Sequence, residues 1–438
     1  MQRRSPVTYP ALSLLSAALA IAFALPAQAA SELEELKAEL AAQRKLLEEQ
    51  QKTIERLEHK VASQESSQAA LQAKAESQAV AVKPGGTSGV TLYGILDGGV
   101  EHITNIGSGH DTLTRVPGIT GTVASRLGVR AEKELAAGFK GIATLEAGFN
   151  LDNGTLGQGG RIFGRQLFAG FATPYGEFTF GRQYSMLLYG MFDADLLGPN
   201  IYGLGSFDPY LPNARFDNSV AWRGKFSSVA LGASFSFGRD TNGGTPLSGT
   251  CAGEIPGQAS ACRAWSAFAK YDGANFGVAA AIDEQRGGSG ATASFFNGAP
   301  TVAFASPGDK DRRITAGAYL KFGQAKVGIG WLGRKLHTSA PEVESDTYYL
   351  DGAYNFTQAI TVDGGVMRIN NDVQKRDATM FVVRGFYHFD KDLSAYLQLS
   401  HLTNSSLAQY ALSGAGPGTT PPVGGDQNGY MLGLRYRF

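Results

Sequence analysis

The residues best able to do chemistry in this chain are charged side chains that alternate with apolar ones, and the chemistry open to them is electrostatic. Near the C-terminal end Tyr430, Leu432, Leu434, Tyr436 and Phe438 alternate with Met431, Gly433, Arg435 and Arg437. Successive side chains of a strand point to opposite faces, so one face here suits lipid and the other a water-filled lumen. Ile314 to Phe322 repeats the scheme, with Tyr319 and Lys321 opposite Ala318, Leu320 and Phe322. The same alternation places Arg126, Arg130, Lys140, Arg165, Lys321, Lys326, Arg384, Arg435 and Arg437 on the polar face, with Asp97, Glu132, Glu146, Asp351 and Asp363. Catalytic chemistry has no foothold by comparison. The six histidines, His59, His102, His110, His337, His388 and His401, lack metal-ligand spacing, and no GxSxG elbow is present. No catalytic residue, metal or cofactor is assigned, and the chain is not expected to be an enzyme.

Charge is balanced at 39 basic and 39 acidic residues, which leaves no basic footprint for nucleic acid. Arg3 and Arg4 precede an apolar run from Ala11 to Leu25 and a small-x-small site at Ala27-Gln28-Ala29, so residues 1–29 read as a secretory signal. Beyond it no run reaches the ~18 to 20 apolar residues of a spanning helix, and a membrane would be crossed by strands. Export permits disulfides. Cys251 and Cys262, in a Gly/Pro/Ser-rich stretch, are read as closing an external loop, with two free thiols as the alternative.

Two periodicities divide the rest. Residues 30–82 carry a heptad seam through Leu33, Leu36, Leu40, Leu47, Ile54, Leu57, Val61 and Leu71, which predicts a self-associating α-helical coiled coil. Lys83 to Gly89 form a Pro/Gly linker (83–89) that stops the helix. Sixteen strand-like runs follow within 90–438, the first near 90–103 and the last near 428–438. Brief turns at Pro174-Tyr175-Gly176, Asp272-Gly273-Ala274, Gly323-Gln324 and Asp390-Lys391-Asp392 alternate with long polar connections. An all-β transmembrane barrel of sixteen antiparallel strands is the expected fold. Its brief turns, and the coil, would lie in the periplasm.

The strands carry Val90-Thr91-Leu92-Tyr93-Gly94, Ser125-Arg126-Leu127-Gly128, Leu145-Glu146-Ala147-Gly148-Phe149-Asn150, Phe163-Gly164-Arg165-Gln166, Phe180-Gly181-Arg182-Gln183 and Gly433-Leu434-Arg435-Tyr436-Arg437-Phe438. Taken in this order they resemble the general bacterial porins, especially the trimeric β-proteobacterial type, from residue 90 to the end. The coil is a departure from the commonest members. The resemblance implies a homotrimer of water-filled pores in the outer membrane, each narrowed by an inward-folded third loop, here Tyr184 to Ala214. It also implies a constriction of wall arginines facing loop carboxylates. Arg126, Arg165 and, more loosely, Arg215 match the wall positions; Arg130 joins them by parity alone. Asp193, Asp195 and Asp208 are the loop candidates, although the usual acidic motif is not reproduced. Arg182 shares parity with Phe178 and Phe180, and the resemblance implies a trimer contact for it. Phe438 resembles the terminal aromatic recognised by the barrel assembly machinery.

The function expected is passive diffusion of small hydrophilic solutes and ions, with a weak anion preference because basic groups lead on the wall. The other partners expected are outer-membrane lipid, lipopolysaccharide and, through the coil, peptidoglycan. Two alternatives stand beside this reading: a solute-specific channel, and a coiled-coil tether or adhesin with incidental conductance.

Overall fold

The computed structural model describes residues 89–438, apart from 119, 240–249, 294–300, 339–341 and 415–417, and eight positions between Ala41 and Lys52. Those eight are helical and exposed. The signal segment 1–29, the remainder of the heptad segment 30–82 and residues 83–88 of the linker lie outside the described residues.

Sixteen antiparallel strands build the barrel. The first eight are β1 (Gly89–Ile106), β2 (Arg126–Ala136), β3 (Phe139–Gly148), β4 (Gln166–Thr173), β5 (Gly176–Tyr184), β6 (Arg215–Phe226), β7 (Val229–Ser236) and β8 (Ala264–Asp272). The second eight are β9 (Phe276–Arg286), β10 (Lys310–Phe322), β11 (Ala325–His337), β12 (Val343–Asn355), β13 (Ile360–Asn370), β14 (Ala378–His388), β15 (Leu393–Asn404) and β16 (Gln427–Arg437). Each pairs with its neighbours in sequence, and the sheet closes where β1 meets β16 in the register Ile95↔Arg437 to Ile103↔Gly429. Closure leaves no open sheet edge, which is the condition for strands to cross a hydrocarbon layer. A short strand, Asp111–Arg115, adds to the far end of β1.

Period-two alternation decides which side chains face out. Leu432, Leu434 and Tyr436 stand exposed, while Met431 and Gly433 are buried. Around the end with the tight turns, Tyr271, Phe276, Phe322, Tyr354, Phe356, Tyr387, Phe389, Tyr436 and Phe438 form an exposed aromatic girdle. Such a band marks a membrane boundary, since a water-soluble protein rarely exposes so large an apolar surface. The turns themselves are local chemistry. Gly176 and Gly323 adopt positive φ, at 119° and 57°. Asp390 Oδ1 accepts from the amides of Asp392 and Leu393, both at 2.7 Å.

The largest hydrophobic cluster lies inside the barrel, not between sheets. The connection from β5 to β6 enters the lumen, and its neck is held by the Ser185 amide donating to the Ala214 carbonyl at 2.9 Å. It opens with helix α1 (Met186–Met191), whose Met186, Leu187, Gly190 and Met191 pack against the wall. Ile201, Tyr202, Leu204, Phe207, Tyr210 and Leu211 are also buried, against inward residues such as Leu332, Tyr349, Met380, Phe386 and Tyr396. Each large apolar side chain so buried stabilises the docked loop by about 1.5–3 kcal/mol.

Close approach of loop and wall requires glycine. An added Cβ at Gly328 would lie 1.9 Å from the Ala194 carbonyl oxygen. At Gly121, a residue of the inward-turned segment before β2, it would lie 2.1 Å from Asp97 Oδ1. That segment supports the loop directly, through the Ile201 amide donating to the Gly121 carbonyl at 3.0 Å.

Candidate functional site

The antiparallel register explains how arginines distant in sequence reach one level. Even-numbered strands start at the end with the long connections, so a basic residue at or just before the first position of β2, β4 and β6 falls at similar height. Arg126, Arg165 and Arg215 occupy those positions, and Glu146 near the end of β3 sits between the first two. Glu146 accepts from Arg165 at 2.8 Å and pairs with Arg126 at 3.5 Å. Its other oxygen also accepts from the Tyr93 hydroxyl at 2.9 Å. At the end of β5 the Tyr184 hydroxyl accepts from Arg165 at 2.7 Å and from Arg215 at 3.2 Å. Three guanidiniums thus converge on one carboxylate and one phenol.

Their exposures differ. Arg126 keeps about a quarter of its side chain open at 23%, whereas Arg165 and Arg215 are buried at 5% each. Arg215 does not project into water as a wall arginine would. It folds over the Tyr184 ring at 4.6 Å and donates to the Pro212 carbonyl at 3.2 Å. Arg130, four residues along β2 toward the other mouth, is exposed and lies 4.4 Å over the Tyr93 ring.

The loop carboxylates are not gathered opposite these arginines. Asp193 bonds Lys270 on β8, which also holds Asp272 at 2.9 Å. Asp195 turns back on the loop, accepting from the Gly198 amide at 2.9 Å, and burial pushes its carboxyl above the usual range. Next to it the Leu196 amide donates to Asp351 at 3.1 Å, and Arg384 donates to the Leu197 carbonyl at 3.1 Å. Asp208 is locked against the wall by Arg313, at 2.6 and 3.1 Å. The physical reason for this dispersal is desolvation: a loop lying flat on the wall buries Asp208 and half-buries Asp193 and Asp195, and each takes the nearest cation or amide. Beside the arginines the loop presents rings instead, Tyr189 and Phe192.

Several charged residues that hold the loop were not among the sequence candidates. Arg313 is fully buried and bridges Asp208 and Asp311, while Arg334 binds Asp311 at 2.9 Å. Asp283 accepts from the Tyr210 hydroxyl at 2.9 Å. Parity carried a signal for Arg313, which shares its face of β10 with Tyr319 and Lys321. On the outer face Arg182 donates to the Gly164 carbonyl at 2.7 Å and joins Arg161 on Asp217. Cys251 and Cys262 form a disulfide in the connection between β7 and β8.

A closed barrel with an apolar exterior, a charged interior and a loop folded across its lumen defines a transmembrane channel architecture. A family model described as Gram-negative porin matches residues 16–407. The chain belongs to the Gram-negative porin family. A curated relative, an outer membrane porin protein of Bordetella pertussis, is 29% identical over 165 residues, covering 34% of this chain and 42% of its own length. The match therefore spans less than half of that relative. Among solved structures, the anion-selective porin from Comamonas acidovorans is 19% identical, with 80% of this chain and all of that one covered at a TM-score of 0.65. The trimer form of OmpT from Vibrio cholerae is 15% identical, covering 80% and 99% of the two chains at a TM-score of 0.56. At these identities the likeness is one of fold.

Proposed function

We propose that this protein is an outer-membrane porin: a water-filled pore for passive diffusion of small hydrophilic solutes and ions, with a weak anion preference. The observation that carries the preference is the cluster of Arg126 and Arg165 on Glu146 with Arg215 beside them on the Tyr184 hydroxyl, three positive charges against one negative. Arg130 adds a fourth cation on the same wall, and the loop carboxylates that would offset them are tied to other cations or to amides. Fixed charge acts over a Debye length of about 8 Å at physiological ionic strength, comparable with a narrowed pore. The name of the Comamonas neighbour, an anion-selective porin, accords with this reading.

The test is the zero-current potential of the purified protein in a potassium chloride gradient at low salt. A potential of the sign set by chloride is expected, with Arg126→Ala moving it toward potassium. A clear cation preference in the unaltered protein would refute the assignment. A homotrimer is part of the proposal. Arg161, Arg182 and Asp217 form a polar network on an outer face that otherwise carries Leu167, Phe178 and Phe180. Facing lipid, such charges cost about 2–4 kcal/mol near the bilayer midplane, whereas a subunit contact would cover them. We also assign residues 1–29 to a secretory signal, 30–82 to a periplasmic coil and 83–89 to its linker, with peptidoglycan the partner of the coil.

A further inference from the structure

The water-facing side of the loop helix is aromatic where a solvated helix would be polar. Met186, Leu187, Gly190 and Met191 are buried and hold α1 to the wall, Tyr189 is half-buried, and Phe192 follows the helix. Phe192 is 45% exposed inside the lumen. Three rings meet edge to face: Tyr184 with Tyr189 at 6.5 Å, Tyr184 with Phe192 at 6.4 Å, and Tyr189 with Phe192 at 6.0 Å. Tyr189 also stacks on Phe268 of β8 at 5.7 Å. Guanidiniums border the same cluster. Arg223 lies 4.7 Å over Tyr189, Arg215 lies 4.6 Å over Tyr184, and Arg165 bonds the Tyr184 hydroxyl. Tyr184 is the junction, its hydroxyl among the arginines and its ring among the aromatics.

We propose that this junction is a solute subsite for small aromatic carboxylates. The carboxylate is drawn to Arg126, whose side chain is partly open where that of Arg165 is buried, and the ring lies against Phe192 and Tyr189. Aromatic surface left in water at a cationic narrowing gains from a flat apolar ring that carries its own negative charge; an inorganic anion uses only half of the site. The inference rests on the porin reading and narrows it to a class of solute.

The experiment compares benzoate with cyclohexanecarboxylate, which has the same charge and similar bulk but no π face. Single channels of the full chain are recorded in planar bilayers with each acid added to a potassium chloride background. Benzoate is expected to produce interruptions roughly 2- to 10-fold longer than cyclohexanecarboxylate, the range of one aromatic pair. In Phe192→Ala and in Tyr189→Leu that ratio should fall toward one. A ratio of one in the unaltered protein, or a ratio kept in both variants, overturns this inference while leaving the pore intact. Absence of any conductance step overturns the porin reading and the subsite with it.

Discussion

Arg313→Ala should free the inward loop while leaving the barrel closed. Arg313 and Arg334 face Asp208 and Asp311 in a buried group of two positive and two negative charges. Removing Arg313 leaves one cation against two carboxylates and takes away the 4.4 Å stack on Tyr210. Losing one partner of a buried pair costs about 3–5 kcal/mol, because the remaining charge stays desolvated. At 1.4 kcal/mol per tenfold, undocking becomes roughly two to four orders of magnitude more frequent. Asp208→Asn should cost less, about 1.5–3 kcal/mol, since the amide oxygen still accepts from Arg313. The double variant should cost less than the sum, as the two residues share one contact. Open-channel noise and protease cleavage within 185–214 read the result, and the strand content by circular dichroism should not change. Unaltered noise and unaltered cleavage in Arg313→Ala would refute the claim that this cluster holds the loop. Acid supplies a second arm. Burial alone would raise the Asp208 carboxyl, but Arg313 and Arg334 outweigh it and hold it at about 2, below the ordinary 3.8. A depressed value means that docking is fully supported above about pH 4 and is lost as pH falls through about 2. The share of docking that Asp208 carries should therefore persist down to that range and be lost below it.

Gly328→Val should displace the loop at Ala194, because the contact leaves no space for a Cβ, at a cost of about 1–3 kcal/mol; an unchanged single-channel conductance would argue against it. Phe438→Ala should lower the yield of folded barrel in the outer membrane: Phe438 and Gly94 exchange backbone bonds at 2.9 and 3.1 Å across the closing seam, and the ring covers Gly94. Heat-modifiability on gels measures that yield, and normal levels would exclude the role. Deleting residues 31–82 should leave conductance steps in place, since every strand of the closed sheet lies beyond residue 88; loss of the steps would show that the pore has been misplaced.

Alternation and turn chemistry were enough to specify the barrel from the sequence. A period of two is a local property, and sixteen runs of it separated by Gly, Asp and Pro turns admit only a sheet that closes on itself. Parity also assigned charged side chains such as Arg126, Arg165 and Arg384 to the lumen, the resemblance grouped Arg126 and Arg165 with Arg215, and the strand starts of the folded barrel bring those three to one level. What parity lacks is position around the barrel and the path of the loop. Asp208 and Arg313 are 105 residues apart, and Leu197 and Arg384 are 187 apart. Only the closed barrel sets those distances. A carboxylate on the loop could have faced the arginines across open water or paired with the wall beneath it. The fold decided for the wall, because the apolar residues of the loop bury themselves there and carry Asp195 and Asp208 out of solvent with them. Phe192 was left exposed for the same reason: Met186, Leu187 and Met191 take the wall, and the residue that follows the helix is turned from it.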